Sequence, residues 1–239
     1  MDITDALAAR RGLTCVVGAG GKKTTMATLA DRLDRAVVTA TVRIPVFDDW
    51  VADVVVTDDP VAAVEAAGSW PLGVVPERER EDRYRGYDPG TVDALADLST
   101  PVLVKADGAR MRRFKAPDHL EPRLPSRAAT VVPIASAHVV GQPLDEDRVH
   151  RVDRVSDLTG LAPGDEIRPR DVATVLTSEQ GGRKGVPDGA TVVPLVNMVD
   201  DATLEERGRE IAAAIHELAD VPRVVLAEMR ADEPLVAVV

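Results

Sequence analysis

The sequence predicts an α/β fold in three layers, a mostly parallel sheet with helices flanking both faces. Three observations predict it. Short β-branched runs recur between helical stretches, the alternation expected when crossover helices join parallel strands. Several runs are apolar at nearly every position, as strands buried on both faces are. The stretch "TCVVGAGGKKTTMATLA", Thr14 to Ala30, then sets a glycine cluster between such a strand and a helix.

In chain order the predicted strands are 13–17, 36–41, 53–57, 102–106, 130–134, 191–196 and 223–227, with 235–239 as a last edge strand. After the glycines, Met26, Leu29, Ala30 and Leu33 fall at i, i+3, i+4 and i+7, one face of a helix. A second helix fits 202–218, with Leu204, Ile211, Ile215 and Leu218 on its buried side and Asp200 or Asp201 as its cap. "PEREREDRYRGYDPG" (76–90) is charged and turn-rich and reads as a loop or flap. "KAPDHLEPRLPS" (115–126) holds three prolines and reads as an ordered loop or linker. Residues 1–239 form one domain in this reading, with 108–190 a candidate lobe or lid over the sheet edge.

A chain of 239 residues, 45% hydrophobic, can bury a full core without disulfides or structural metal. The single cysteine, Cys15, has no partner in the chain and fits a small buried thiol in a reducing compartment. No run of about 18 apolar residues is present, so no transmembrane helix is expected. "MDITDALAARRG" lacks the apolar core of a secretory signal, and the expected location is cytoplasmic. The net charge of -11 argues against broad nucleic-acid binding, which needs cationic surface. Lysine is scarce: Lys22, Lys23, Lys105, Lys115 and Lys184 are all there are. An acidic, lysine-poor surface suits a halophilic, high-salt cytoplasm, while high genomic GC content would also raise arginine. Two adjacent lysines inside a glycine loop stand out against that scarcity. Nothing in the sequence sets an oligomeric state.

The glycine stretch fits a dinucleotide-binding turn poorly. Aligned on Gly18 and Gly20, that motif puts Lys23 where a third glycine belongs, and the second strand ends in threonines and Arg43 instead of an acid. A phosphate loop needs glycines that turn N–H groups onto an anion, a lysine for phosphate charge and a hydroxyl for Mg²⁺, all opening a helix. Gly18, Ala19, Gly20, Gly21, Lys22, Lys23, Thr24 and Thr25 supply every part. The spacing leaves the register open. In the long form, Lys22 and Val17 occupy the glycine positions; in a short form, Lys23 occupies the hydroxyl position. A plain glycine turn with solvent-facing lysines is the bland alternative.

Downstream residues add to the phosphate reading. "PVLVKADGAR" is an apolar strand ending in Asp107–Gly108, where a carboxylate can hold Mg²⁺ and a glycine N–H can approach a terminal phosphate, although Asp-Gly is also an ordinary turn. "VVPLVNMVDD" puts Asn197 and Asp200 at another strand end, with the spacing of the N-K-x-D guanine-reading motif and Met198 in place of lysine; Asp200 as a helix cap is the alternative. His138 and His150 would need Asp145 or Asp147 beside them to hold a metal, and their spacing matches no compact ligand motif, which favours substrate-loop or structural roles. Arg151 and Lys115 can meet a phosphate or lie on the surface.

The blocks "VVGAGGKKTT", "VVTATVRIP", "RYRGYDPGTVDAL", "VLVKADGARMRRFKAP", "GQPLDEDRVHR", "LTGLAPGDEI", "VVPLVNMVDD" and "RVVLAEMR" together resemble the YqeC-type proteins, described as accessory factors for selenium-dependent molybdenum hydroxylases. The resemblance implies a P-loop NTPase-like fold with a shortened loop. It implies service to the maturation of a molybdenum hydroxylase, the partner protein, in handling that enzyme's cofactor; the ligand itself, ATP or GTP with Mg²⁺, is read from the loop residues. Two departures stand out: the loop has one lysine more than the family's Gly-x-Gly-Gly-Lys-Thr, and Lys105 stands where a glutamate is usual. Lys105 and Asp107, at i and i+2, share a strand face, so Lys105 either neutralises a phosphate or pairs with Asp107.

The resulting expectation is a Mg²⁺-dependent nucleoside triphosphate-binding accessory protein. Gly18, Ala19, Gly20 and Gly21 shape the loop, Lys22 or Lys23 holds phosphate, and Thr24 or Thr25 with Asp107 ligates the metal. Asn197 and Asp200 meet the base. Lys22, Lys23 and Asp107 carry any hydrolysis or nucleotidyl transfer. The alternative is a non-catalytic carrier that grips the phosphate of a molybdopterin-type cofactor.

Overall fold

The computed structural model describes residues 1–239. Its strands are β1 (Leu13–Gly18), β2 (Val37–Ala40), β3 (Ile44–Pro45), β4 (Asp53–Val56), β5 (Leu72–Val75), β6 (Arg83–Tyr84), β7 (Val102–Lys105), β8 (Phe114–Lys115), β9 (Ala128–Ser136), β10 (Val149–His150), β11 (Thr191–Val192), β12 (Leu195–Asn197), β13 (Val225–Ala227) and β14 (Leu235–Val238). The helices are α1 (Ile3–Ala6), α2 (Lys22–Arg32), α3 (Pro60–Glu65), α4 (Pro89–Asp93), α5 (Val152–Thr159), α6 (Pro169–Thr177) and α7 (Ala202–Leu218).

One sheet runs β14-β13-β12-β9-β1-β7-β2-β5-β4, with β11 paired to β9. Every pairing in it is parallel except β13 with β14. The predicted α/β class is therefore observed. Alternate side chains of the central strands feed opposite faces. Val16, Leu103, Val132 and Ile134 join α2's Met26 and Leu29 on one side; Cys15, Val104 and Val131 join the α3 and α4 residues Val64 and Val92 on the other. Farther along that second side, Ala135, Val196 and Leu226 pack against α5, α6 and α7. Cys15 is fully buried, and burial pushes its thiol far up in pKa, so it stays a protonated core residue.

The predicted strand 191–196 is two strands. Pro194 has no N–H to donate, and the pairing with β9 moves from Thr130–Val131 to Ile134–Ser136 across it. β5 and the helices α3, α5 and α6 had no counterpart in the sequence reading; β5 is only four residues of general apolar character, and the helices are short. The 108–190 stretch is divided. Its β9 lies in the middle of the sheet beside β1, while α5 and α6 cover one face. Residues 76–90 hold β6, paired to β3 as a small second sheet around Phe47, Trp50 and Tyr84. Asp201, not Asp200, caps α7: its Oδ1 accepts from Leu204 N at 2.8 Å. No helix is long and apolar enough to cross a membrane.

The strand order also locates a crevice. After β1 the chain moves to β2, on the β7 side; later it returns to lay β9 against the opposite edge of β1. The carboxyl end of β1 is therefore a point where connections diverge, the place where open parallel sheets bind ligands.

Candidate phosphate-binding site

β1 ends in the glycine cluster, and the cluster opens α2. Gly18, Gly20 and Gly21 all have positive φ. At Gly20 (φ +108°) a Cβ would stand 2.6 Å from Ser136 N, so the loop runs flush against the end of β9. Ala19 N donates to Ile134 O at 2.9 Å, and Asn197 Nδ2 donates to Gly20 O at 2.8 Å. Met229 N in turn donates to Asn197 Oδ1 at 3.3 Å, so this buried amide ties the loop to the end of β13.

This arrangement leaves a row of free donors. The N–H groups of Gly20, Gly21, Lys22, Lys23 and Thr24 donate to no protein acceptor; the first helical donor of the segment, Thr25 N, goes to Gly21 O. Consecutive free N–H groups at the start of an eleven-residue helix form an anion cradle, reinforced by the helix dipole. Thr25 Oγ1 also donates to Gly21 O at 3.1 Å and is buried, whereas the Thr24 side chain faces a cleft.

The two adjacent lysines part company. Lys22 is buried, donates to Gly18 O and lies 2.8 Å from Asp107 Oδ1. Lys23 is exposed and donates to Val46 O at 3.1 Å. Asp107, 1% exposed, also accepts from Gly18 N at 2.8 Å and meets Lys115 Nζ at 2.9 Å, both through Oδ2. Burial opposes its ionisation, but Lys22 and Lys115 outweigh burial and hold its carboxyl below the usual range. Lys115 continues to Glu121 Oε2 at 2.8 Å and to Gly108 O. Glu121 accepts from Gly108 N at 2.9 Å and from Arg151, which also reaches Asp118 at 2.6 Å. Burial would raise Glu121, yet Lys115 and Arg151 bring it down to about 2.

Lys105 does not pair with Asp107. Its ammonium donates to Arg43 O at 2.7 Å, and burial, with repulsion from Lys22, lowers its pKa to about 7. Glu121 was missed from sequence because it lies in the proline-rich stretch with no spacing to mark it. His150 stays neutral: burial first, then Arg151, Lys115 and Arg110, lower it to about 4. His138 Nε2 meets Asp200 Oδ2 at 2.8 Å. It is Asp200, not Asp145 or Asp147, that lies against this histidine.

On the other side of the loop lies a cleft of about 510 Å³. Thr24, Arg113, His138, Asn197, Asp200 and Arg230 are among its lining residues. The loop therefore runs between this cleft, at the ends of β9, β12 and β13, and the lysine cluster, at the ends of β7 and β2.

The residues do not fit a metal held by protein ligands alone. Asp107 Oδ1 is buried and accepts no well-aligned hydrogen bond, which favours a cation. Its surroundings oppose one: two ammonium groups already touch this carboxylate, and no group of three acidic, histidine or cysteine side chains converges anywhere in the chain.

Comparison with known proteins shows the family. The YqeC protein family matches residues 14–153, which span the glycine loop, Asp107, Lys115 and Glu121. The chain belongs to the YqeC family. Over 191 residues, 76% of this chain and 74% of the relative, it is 30% identical to "Uncharacterized protein YqeC" of Escherichia coli (strain K12). No solved structure matches.

Proposed function

We propose that this YqeC-family chain binds the polyphosphate of a nucleoside triphosphate, ATP or GTP. The observation that carries the reading is the run of five acceptor-free N–H groups from Gly20 to Thr24, backed by the buried Lys22. A polyphosphate laid along the loop has its terminal end toward Lys22 and Asp107 and its nucleoside toward the 510 Å³ cleft. Asp200, on the cleft wall, is then the base-reading carboxylate. Asn197 acts from behind, by fixing the loop. Mg²⁺ enters this reading as an ion carried by the nucleotide's own phosphates.

The family resemblance supplies the setting: a cytoplasmic accessory role in maturing a molybdenum hydroxylase. Phosphoryl or nucleotidyl transfer is the chemistry such a site supports through positioning and charge neutralisation. One observation favours the second reading, a carrier that grips the phosphate of a molybdopterin-type cofactor without turnover. No unpaired carboxylate stands beside Asp107 to serve as a base, because Glu121 is committed to Lys115 and Arg151.

Isothermal titration of ATP and GTP with Mg²⁺, in molar KCl, tests the reading. Binding that disappears in the Lys22→Ala, Lys23→Ala double variant is the expected result; unchanged affinity in that variant removes the loop from the function. Stoichiometric binding without release of phosphate or pyrophosphate decides for the carrier.

A further inference from the structure

Three of the chain's five lysines are buried around one aspartate. Lys22, Lys105 and Lys115 are 6%, 8% and 3% exposed, and Asp107 stands among them. A protein with 40 acidic residues and few lysines has placed most of its ammonium groups where desolvation makes them expensive. The ion pairs do not take up every buried ammonium. Lys22, Lys115 and Arg151 pair with Asp107, Glu121 and Asp118, and Lys105 pairs with no carboxylate.

Lys105 is the one left without an ion pair. Lys22 and Lys115 each touch a carboxylate, whereas the ammonium of Lys105 has only an uncharged acceptor, Arg43 O at 2.7 Å. Lys105 ends β7, directly beside Val16 of β1 in the sheet register, and so lies next to the strand that delivers the glycine loop. A buried amine that touches no carboxylate, on the strand beside the one that leads into the free N–H groups, is what an anionic group arriving there would hold in its charged form.

We propose that Lys105, together with Lys22, holds the terminal phosphate of the loop's ligand and supplies the charge that a divalent cation would otherwise bring, so that polyphosphate binding does not require Mg²⁺. The inference rests on the phosphate-binding reading of the loop. It also accounts for the poor fit of the carboxylates here to a protein-held metal. Lys105 is thus a binding residue, and Lys115 is the positioning residue that keeps Asp107 in place.

The test is isothermal titration of tripolyphosphate and of ATP into the full chain, once with excess EDTA and once with excess Mg²⁺. The wild type is expected to bind both ligands in EDTA, within about threefold of its affinity in Mg²⁺. Lys105→Met is expected to lose about tenfold or more in EDTA, the scale of one hydrogen bond to a charged group, and Lys105→Arg to keep most of the affinity. Thermal melts of both variants show that they fold. Binding in Mg²⁺ only, or wild-type affinity for Lys105→Met in EDTA, overturns this inference and leaves the loop reading intact. Failure of the wild type to bind in either condition overturns both.

Discussion

Asn197 Nδ2 donates to Gly20 O at 2.8 Å, so a side chain at the end of β12 fixes the backbone of the loop that follows β1. The same amide accepts from Met229 N, which makes Asn197 a buried tie between three strand ends. Asn197→Ala is expected to leave Gly20 O and Met229 N without partners and to cost about 1–3 kcal/mol. Chemical denaturation measures that cost. Ligand affinity is expected to fall with it, because the loop loses its brace.

Gly20→Ala tests the packing of the loop directly. A Cβ there would meet Ser136 N at 2.6 Å with φ at +108°, and the next nearest atoms, Ala135 C and Arg113 O at 3.0 Å, are backbone too. A loss of stability of about 1–3 kcal/mol, with loss of phosphate binding, is expected. Wild-type affinity in a folded Gly20→Ala protein would contradict the cradle geometry.

Single lysine variants separate the two registers the sequence left open. Lys22→Ala is expected to abolish binding of ATP. Lys23→Ala is expected to change the affinity less than about threefold, since an exposed ammonium on a carbonyl contributes little. Titrations on the two proteins, side by side, give the answer.

The pH dependence of stability is expected to carry the signature of Lys105. Its folded pKa lies near 7 against an ordinary 10.5, owing to burial and to Lys22 and Lys115, with Asp107 and Glu121 pulling the other way. Between those values the unfolded chain binds a proton that the folded chain does not, so this residue makes stability rise with pH across the window. Its destabilisation is fully present below pH 7. Lys105→Met is therefore expected to melt at a higher temperature at pH 7 and to lose that slope.

Glu121 gives the opposite signature in acid. Its folded pKa of about 2 lies below the ordinary 4.5, so its stabilisation is complete above pH 4.5 and is lost as pH falls toward 2. Urea denaturation at pH 5 and pH 3 should show the loss, and Glu121→Gln should flatten it.

The sequence by itself determined the class of fold and the loop. Apolar β-branched runs can be satisfied only as strands buried on both faces, and the order strand, glycines, lysines, threonines, helix is a local arrangement that needs no distant partner to be recognised. Those features appear where they were predicted, at β1, β7, β9 and α2. The tertiary structure decided what the side chains do. Lys22 and Lys23 are equivalent in the sequence, but helical geometry turns one inward to Asp107 and the other out to Val46 O. Lys105 and Asp107 share a strand face, yet the nearer acceptor for the ammonium is a carbonyl of the neighbouring segment. Asn197 had a base-reading look, and folding committed its amide to the loop. Glu121 had no local signal at all, because its role exists only where Lys115, Arg151 and Gly108 converge. Short-range pattern fixes backbone conformation, whereas charge pairing depends on which strand ends the sheet brings together.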